Sequence, residues 1–351
     1  MAADPPASLA AIGERVAARI DSLLESEQDR WAGVDPDLAE PFAALRALIA
    51  GGKRLRPAFC HWGWVGAGGD PDDPRVVDAG AALELLHTFA LVHDDIMDDS
   101  TRRHGIDCLH VDFASRHRQR NWHGEDRRFG DGAAILIGDL AFVYADQLLR
   151  GSPAEALDVF TELRLEVNVG QYLDLLGTAS RRASVAQART ICVYKSGKYT
   201  IERPLHLGAA LAGRLGDLAK PFTAYGIPLG EAFQLRDDLL GAFGDGEKLG
   251  KVVGEDLREG KPTALYALTR DGASPAGIDL LDRLFGHHDL TSSEVEDIQE
   301  LMHSTGARDS VERLVSELTD QALEALEHGA ITATARVELE ALARFVAGRD
   351  H

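Results

Sequence analysis

Residues 81 to 100 read AALELLHTFALVHDDIMDDS, an apolar run without glycine or proline that ends in four aspartates, Asp94, Asp95, Asp98 and Asp99. Apolar residues on nearly every side up to Asp94 predict a helix buried inside a helical protein. Asp94 and Asp98 are four apart and are expected to share a face, as are Asp95 and Asp99. Like charges at that spacing cost a helix about 0.2–0.5 kcal/mol per pair, and the negative end of the helix dipole adds to the penalty. Folding gains nothing from such a cluster. Magnesium, commonly held by one or two carboxylates together with substrate phosphate oxygens, would neutralise it. The bland alternative is a solvated acidic helix end, which the rest of the chain weakens.

Outward from this stretch, apolar residues recur at intervals of three and four, and alternating runs of Val, Ile and aromatics are nearly absent. The expected fold is all-α, a single-domain helical bundle over residues 1–351. A central substrate cavity would bring together clusters that lie far apart in sequence. Helices are expected at 8–30, 38–50, 76–99, 132–150, 153–177, 184–202, 203–213, 217–243, 262–271, 276–286, 292–304 and 308–346, the last broken near Gly329. Punctuation comes from Gly51-Gly52, from 66–74, from the polar stretch 115–131 and from the Gly-rich stretch 244–260, none resembling a domain linker.

A balance of 37 basic against 57 acidic residues, net charge -20, argues against nucleic acid or an anionic membrane as partner. An anionic substrate would need metal ions or a local basic patch to mediate. Cys60, Cys108 and Cys192 are widely spaced and odd in number, so no disulfide framework or zinc site is expected, and a reducing cytoplasm fits. The start MAADPPASLA lacks the basic and apolar regions of a signal peptide, and no run of 18 apolar residues predicts a transmembrane segment.

A second acidic pair follows an apolar stretch in EAFQLRDDLLGAFGD, residues 231–245, with Gln234 three residues before Asp237 on the same face. Four residues after Asp237 stands Gly241, so the carboxylate that Asp98 supplies in the first cluster has no counterpart beside Asp237 and Asp238. Asp245, one turn further on, is a candidate replacement if the helix continues. Cations suited to phosphate lie in Gly51-Gly52-Lys53-Arg54-Leu55-Arg56-Pro57, at Arg102 and Arg103, and at Lys195, Lys198, Lys251 and Lys261. His87 is expected two turns before Asp94 on the same helix face.

From about residue 40 to 270 the order and spacing of these motifs resemble the trans-isoprenyl diphosphate synthase (polyprenyl synthetase) family, most of all its short-chain geranylgeranyl diphosphate synthases. DDIMD at Asp94 to Asp98 is similar to the first aspartate-rich motif, GGKRLRP to the Gly-Lys-x-x-Arg-Pro motif, and Arg102-Arg103 to the paired arginines. Lys195-Ser196, Phe233 to Asp238, and the later Lys251 and Lys261 also match the family pattern. The resemblance implies that Lys53, Arg56, His87 and Arg103 bind isopentenyl diphosphate. It further implies that Arg102, Lys195, Ser196, Gln234, Lys251 and Lys261 bind an allylic diphosphate. Asp94, Asp98 and Asp237 would ligate magnesium, three ions per active site with substrate bound, supported by Asp95 and Asp238. The family's second motif usually reads DDxxD, and DDLLG departs from it at Gly241.

The implied reaction is head-to-tail condensation, in which the isopentenyl double bond attacks an allylic carbocation left by a departing pyrophosphate. Ala90 and Phe89, four and five residues before Asp94, would face the same cavity a turn deeper. The bulky Phe89 would block growth, a pattern that resembles C20 synthases, with C15 the next expectation. A homodimer is also implied. A class I terpene cyclase shares the aspartate-rich helix but needs no second diphosphate site and carries an Asn/Ser/Glu metal motif not found around Asp237. A regulatory subunit of a heteromeric synthase is favoured only by Gly241 and opposed by the intact first cluster.

Overall fold

The computed structural model describes residues 4–49, 51–103, 105–180, 184–244 and 254–348. Helices run in the order α1 Ala7–Ala32, α2 Ala39–Ile49, α3 Leu55–Gly66, α4 Pro74–Met97, α5 Leu109–Gln119, α6 Asp126–Leu148, α7 Ala154–Ser180 and α8 Val185–Ile191. A wider π-helical segment, Cys192–Glu202, leads into α9 Arg203–Leu211 and α10 Leu215–Phe243. The remainder comprises α11 Glu255–Glu259, α12 Ala264–Gly272, α13 Pro275–Leu284, α14 Ser292–Ser304, α15 Ala307–Glu327 and α16 Ala333–Ala347. Two short antiparallel strands, β1 Arg102–Arg103 and β2 Ile106–Asp107, form a hairpin after α4.

The expectation of an all-α bundle holds, and α4 is its central helix. Asp73 caps it by accepting from the Arg75 amide at 2.8 Å, with Pro74 in the first turn, where its missing N–H costs nothing. From Val76 to Leu86 it is buried on almost every side, packed against α1, α3, α6 and α9. By length and composition α4 could span a membrane, but its apolar residues are used for packing in the bundle.

Two hydrophobic cores share α10. The larger joins α1 to α4, α6, α7, α9, α16 and the first half of α10, and the smaller gathers α11 to α15 on its second half. Asp237 and Asp238 therefore stand where the smaller core braces the helix.

Three element expectations change. The stretch over α3, LRPAFCHWGWVG, forms a fully packed helix, since burial on every side erases the period that marks an amphipathic one. The polar stretch 115–131 is mostly helical, divided between α5 and α6. Segment 184–202 is α-helical only to Ile191 and π-helical beyond. The last helix breaks around Gly329 as expected, into α15 and α16.

Candidate active site

Helix α4 releases its aspartates in sequence. Asp94 and Asp95 are still helical, Asp98 caps the helix, and Asp99 takes a left-handed backbone with φ 54°. Asp99 thereby turns outward to Arg127 at 3.0 Å, so the expected Asp95–Asp99 face is not formed. Asp94 accepts from Gln171 Nε2 at 2.7 Å and from Lys195 Nζ at 3.2 Å. The buried Asp95 accepts from Arg103 Nε at 2.7 Å and so holds that guanidinium 3.7 Å from Asp94. Lys195 also donates to Asp174 on α7 at 2.5 Å. Asp98 faces Lys261 at 3.5 Å, and the same ammonium meets Glu259 at 2.7 Å and Asp256 at 3.8 Å.

The second cluster is placed by glycine contacts. A Cβ on Gly170 of α7 would lie 2.4 Å from the Lys195 amide nitrogen, and one on Gly230 of α10 only 2.3 Å from Gly197 Cα. Three backbones thus touch at the π-helical segment, whose extra residue per turn aims Lys195 toward Asp94 and Ser196 toward α10. The Ser196 hydroxyl donates to Gln234, which donates in turn to Asp238 Oδ1 at 2.7 Å. Asp238 is buried and Asp237 is exposed. Helix α10 ends at Phe243, with Gly244 extended at ψ 156°. Asp245 and Lys251 lie outside the described residues.

On the other side of α4, Arg56 stacks over the Tyr199 ring at 4.3 Å and donates to Thr200 Oγ1 at 2.9 Å. The Tyr199 hydroxyl lies 3.3 Å from His87 Nδ1, so one tyrosine gathers two of the residues expected on isopentenyl diphosphate. Arg54 is buried on Glu84 and the Ile49 carbonyl and anchors the strip, leaving Lys53 exposed beside it. Two cations belong elsewhere. Lys198 joins a structural network with Glu166 at 2.7 Å and Glu202 at 3.0 Å. Arg102 points outward and donates to the Gly105 carbonyl at 2.6 Å, so the structure does not bring it to the clusters.

Burial, with Asp94 nearby, pushes the Asp98 carboxyl up to about 6 against the pull of Lys261. Burial, followed by Asp256, raises Asp238 well above the ordinary carboxylate range. Asp94 is lowered: burial opposes its charge, but Lys195, Lys261 and Arg103 outweigh it. Lys261 is raised, as Asp256, Glu259 and Asp98 overcome its burial. Asp98, Asp256 and Glu259 converge on the Lys261 ammonium, and among the described residues no three acids are spaced to hold a metal ion by themselves. The donors are carboxylate oxygens throughout, which suits a hard cation completed by oxygens from a bound ligand.

Sequence reasoning missed Gln171, Asp174, Tyr199, Thr200, Asp256 and Glu259. Gln171 and Asp174, three apart in the otherwise apolar stretch 169–177, carried a legible signal; the others did not. Phe89 packs on Phe142 of α6 at 4.8 Å and on His93 at 4.5 Å, with Ala90 half-buried beside it. Phe142 was also unanticipated as its partner.

Two acid clusters, the first joined through lysines to carboxylates of α7 and α11, with a separate basic group on the other side of α4, define an all-helical enzyme that handles diphosphates. The polyprenyl synthetase family model matches residues 40–302. A short chain isoprenyl diphosphate synthase of Methanothermobacter thermautotrophicus is 32% identical over 89% of this chain and 92% of its own length. A geranylgeranyl diphosphate synthase of Saccharolobus solfataricus is 31% identical over 88% and 89%. The crystal structure of a geranylgeranyl pyrophosphate synthase from Corynebacterium glutamicum, complexed with isoprenyl diphosphate and magnesium, has 36% identity and a TM-score of 0.92, covering 97% of this chain and 99% of that one. The chain belongs to the polyprenyl synthetase family and is a prenyltransferase.

Proposed function

We propose that the protein condenses isopentenyl diphosphate head to tail with allylic diphosphates and stops chiefly at C20, with C15 as the lesser product. The observation that carries this reading is the convergence of carboxylates from the end of α4, from α7 and from α11 on two lysines. Lys195 meets Asp94 at 3.2 Å, and Lys261 meets Asp98 at 3.5 Å and Asp256 at 3.8 Å. Three magnesium ions, held by Asp94, Asp98 and Asp237, would supply the positive charge that stabilises a departing pyrophosphate. Lys195, Ser196, Gln234 and Lys261 hold the allylic diphosphate between the clusters, with Lys251 assigned by resemblance alone. Arg102 is left out because its guanidinium is engaged on the outer hairpin.

Lys53, Arg56, His87 and Arg103 orient isopentenyl diphosphate so that its double bond meets the allylic carbon as the carbon–oxygen bond breaks. The proton lost from the new chain goes to the departing pyrophosphate. Apolar walls of α4 and α6 keep water from the cation. The packing of Phe89 on Phe142, with ring centroids 4.8 Å apart, supports a C20 stop.

Homodimerisation is supported by a stripe of exposed apolar residues on α7, Leu165, Val169, Tyr172 and Leu176, continued by Leu136 and Val143 on α6. A contiguous apolar face of this kind is expected to be covered, here by a second copy. The three free, buried thiols support a reducing, cytoplasmic setting.

The test is incorporation of labelled isopentenyl diphosphate with C5, C10 or C15 allylic primers. Incorporation is expected with magnesium, none after chelation, and recovery when magnesium is restored. No incorporation with any primer would overturn the proposal.

A further inference from the structure

The face of α7 that reaches the first acid cluster continues away from it. Gln171, which donates to Asp94 at 2.7 Å, is followed toward the start of the helix by Val167, Arg164 and Phe160, which helical spacing puts on one face. At the helical rise per residue, Arg164 stands roughly 10 Å below Gln171 on α7, and Phe89 roughly 7.5 Å below Asp94 on α4. The two descents meet on one ring. Phe142 of α6 packs on Phe89 at 4.8 Å and carries the Arg164 guanidinium 5.3 Å from its centroid.

That guanidinium is held from several sides. It lies 4.7 Å over the buried ring of Phe160, donates to Asp146 Oδ1 at 3.1 Å and to Thr161 Oγ1 at 3.2 Å. Asp146 is one turn beyond Phe142 on α6, so the ion pair ties α6 to α7 beside the aromatic pair. Half-buried Arg164 is thus a charge set into an otherwise apolar line between Val167 and Phe160.

We propose that Arg164 is a specificity-determining residue for product length: it positions Phe142 and bars the way past it. The assignment deepens the C20 reading above and rests on it. A cation over an aromatic face favours one placement of the ring, whereas an apolar neighbour lets it swing aside. A hydrocarbon chain that pushed Phe142 away would also have to lie against a guanidinium and its carboxylate, and setting charged groups against hydrocarbon is costly. Leucine at 164 would instead continue the apolar wall.

The test supplies the full chain with magnesium, the C15 allylic diphosphate and excess isopentenyl diphosphate, and reads the distribution of product lengths. That distribution is a ratio within one reaction, so a variant that is only slower or less stable does not shift it. Phe89→Ala should accumulate C25. Phe89→Ala/Arg164→Leu should run at least one isoprene unit further, whereas Phe89→Ala/Arg164→Lys, which keeps a cation at the ring, should stop where Phe89→Ala stops. A leucine double variant with the distribution of Phe89→Ala, or a lysine double variant as long as the leucine one, would overturn the inference. If neither Phe89→Ala nor Phe142→Ala lengthens the product, the floor reading falls and this assignment with it; if both lengthen it and Arg164→Leu adds nothing, this assignment alone falls.

Discussion

In the half-buried Asp98, burial and the nearby Asp94 push the carboxyl up to about 6, above an ordinary aspartate. Because the folded value exceeds the unfolded one, folding favours the protonated form, and stability is lost as pH rises from about 4 through 6. A cation at the site would restore it. Asp98→Asn removes the charge and keeps the shape, so without magnesium at pH 7.5 the variant should be more stable than the wild type by on the order of 1 kcal/mol. Elongation by the same variant should fall on the order of a hundredfold. Thermal denaturation without metal, beside a turnover assay, checks both; a variant less stable than the wild type contradicts the account. Charge spacing marked Asp94 and Asp98 as candidate ligands in the sequence, and Asp237 followed from its pairing with them. It could not show that Asp99 leaves the face by a left-handed turn, or that Arg102 is spent on a hairpin carbonyl, since both depend on backbone conformation beyond the helix end.

At the scale of elements, the proposed floor beneath a growing chain joins α4 to α6. Phe89→Ala should lengthen the products by at least one isoprene unit, and Phe142→Ala should do so as well, since each ring props the other at 4.8 Å. Chromatography of the dephosphorylated products reads this directly, and unchanged lengths in both variants would remove the floor assignment. The crossing of α10 with the π-helical segment is equally demanding. Gly230→Ala forces a Cβ to within 2.3 Å of Gly197 Cα and should destabilise the fold by about 1–3 kcal/mol. Urea unfolding tests it, with an unshifted midpoint as the contrary result. Helices with one polar face announced themselves by period; α3, apolar all round, did not. The π-helical segment shifts the phase of its side chains, and its only trace in the sequence is the pair of glycines at 170 and 197. Asp256 was hidden differently, because nothing in a Gly-rich stretch says that its carboxylate folds back to Lys261.

For the whole molecule, the exposed apolar stripe of α6 and α7 predicts a dimer. Leu165→Glu/Tyr172→Glu, changing two of the most exposed members of the stripe, should shift the protein from dimer to monomer in light scattering after size exclusion. A wild type that elutes as a monomer would contradict the prediction. The central claim is that metal-bound diphosphates meet between α4 and α10 above a closed floor, and product length tests it most directly. Given the C15 allylic diphosphate, excess isopentenyl diphosphate and magnesium, the purified chain should add one unit and accumulate the C20 diphosphate, read by mass spectrometry. No extension of the primer, or extension running well past C20, would contradict the account.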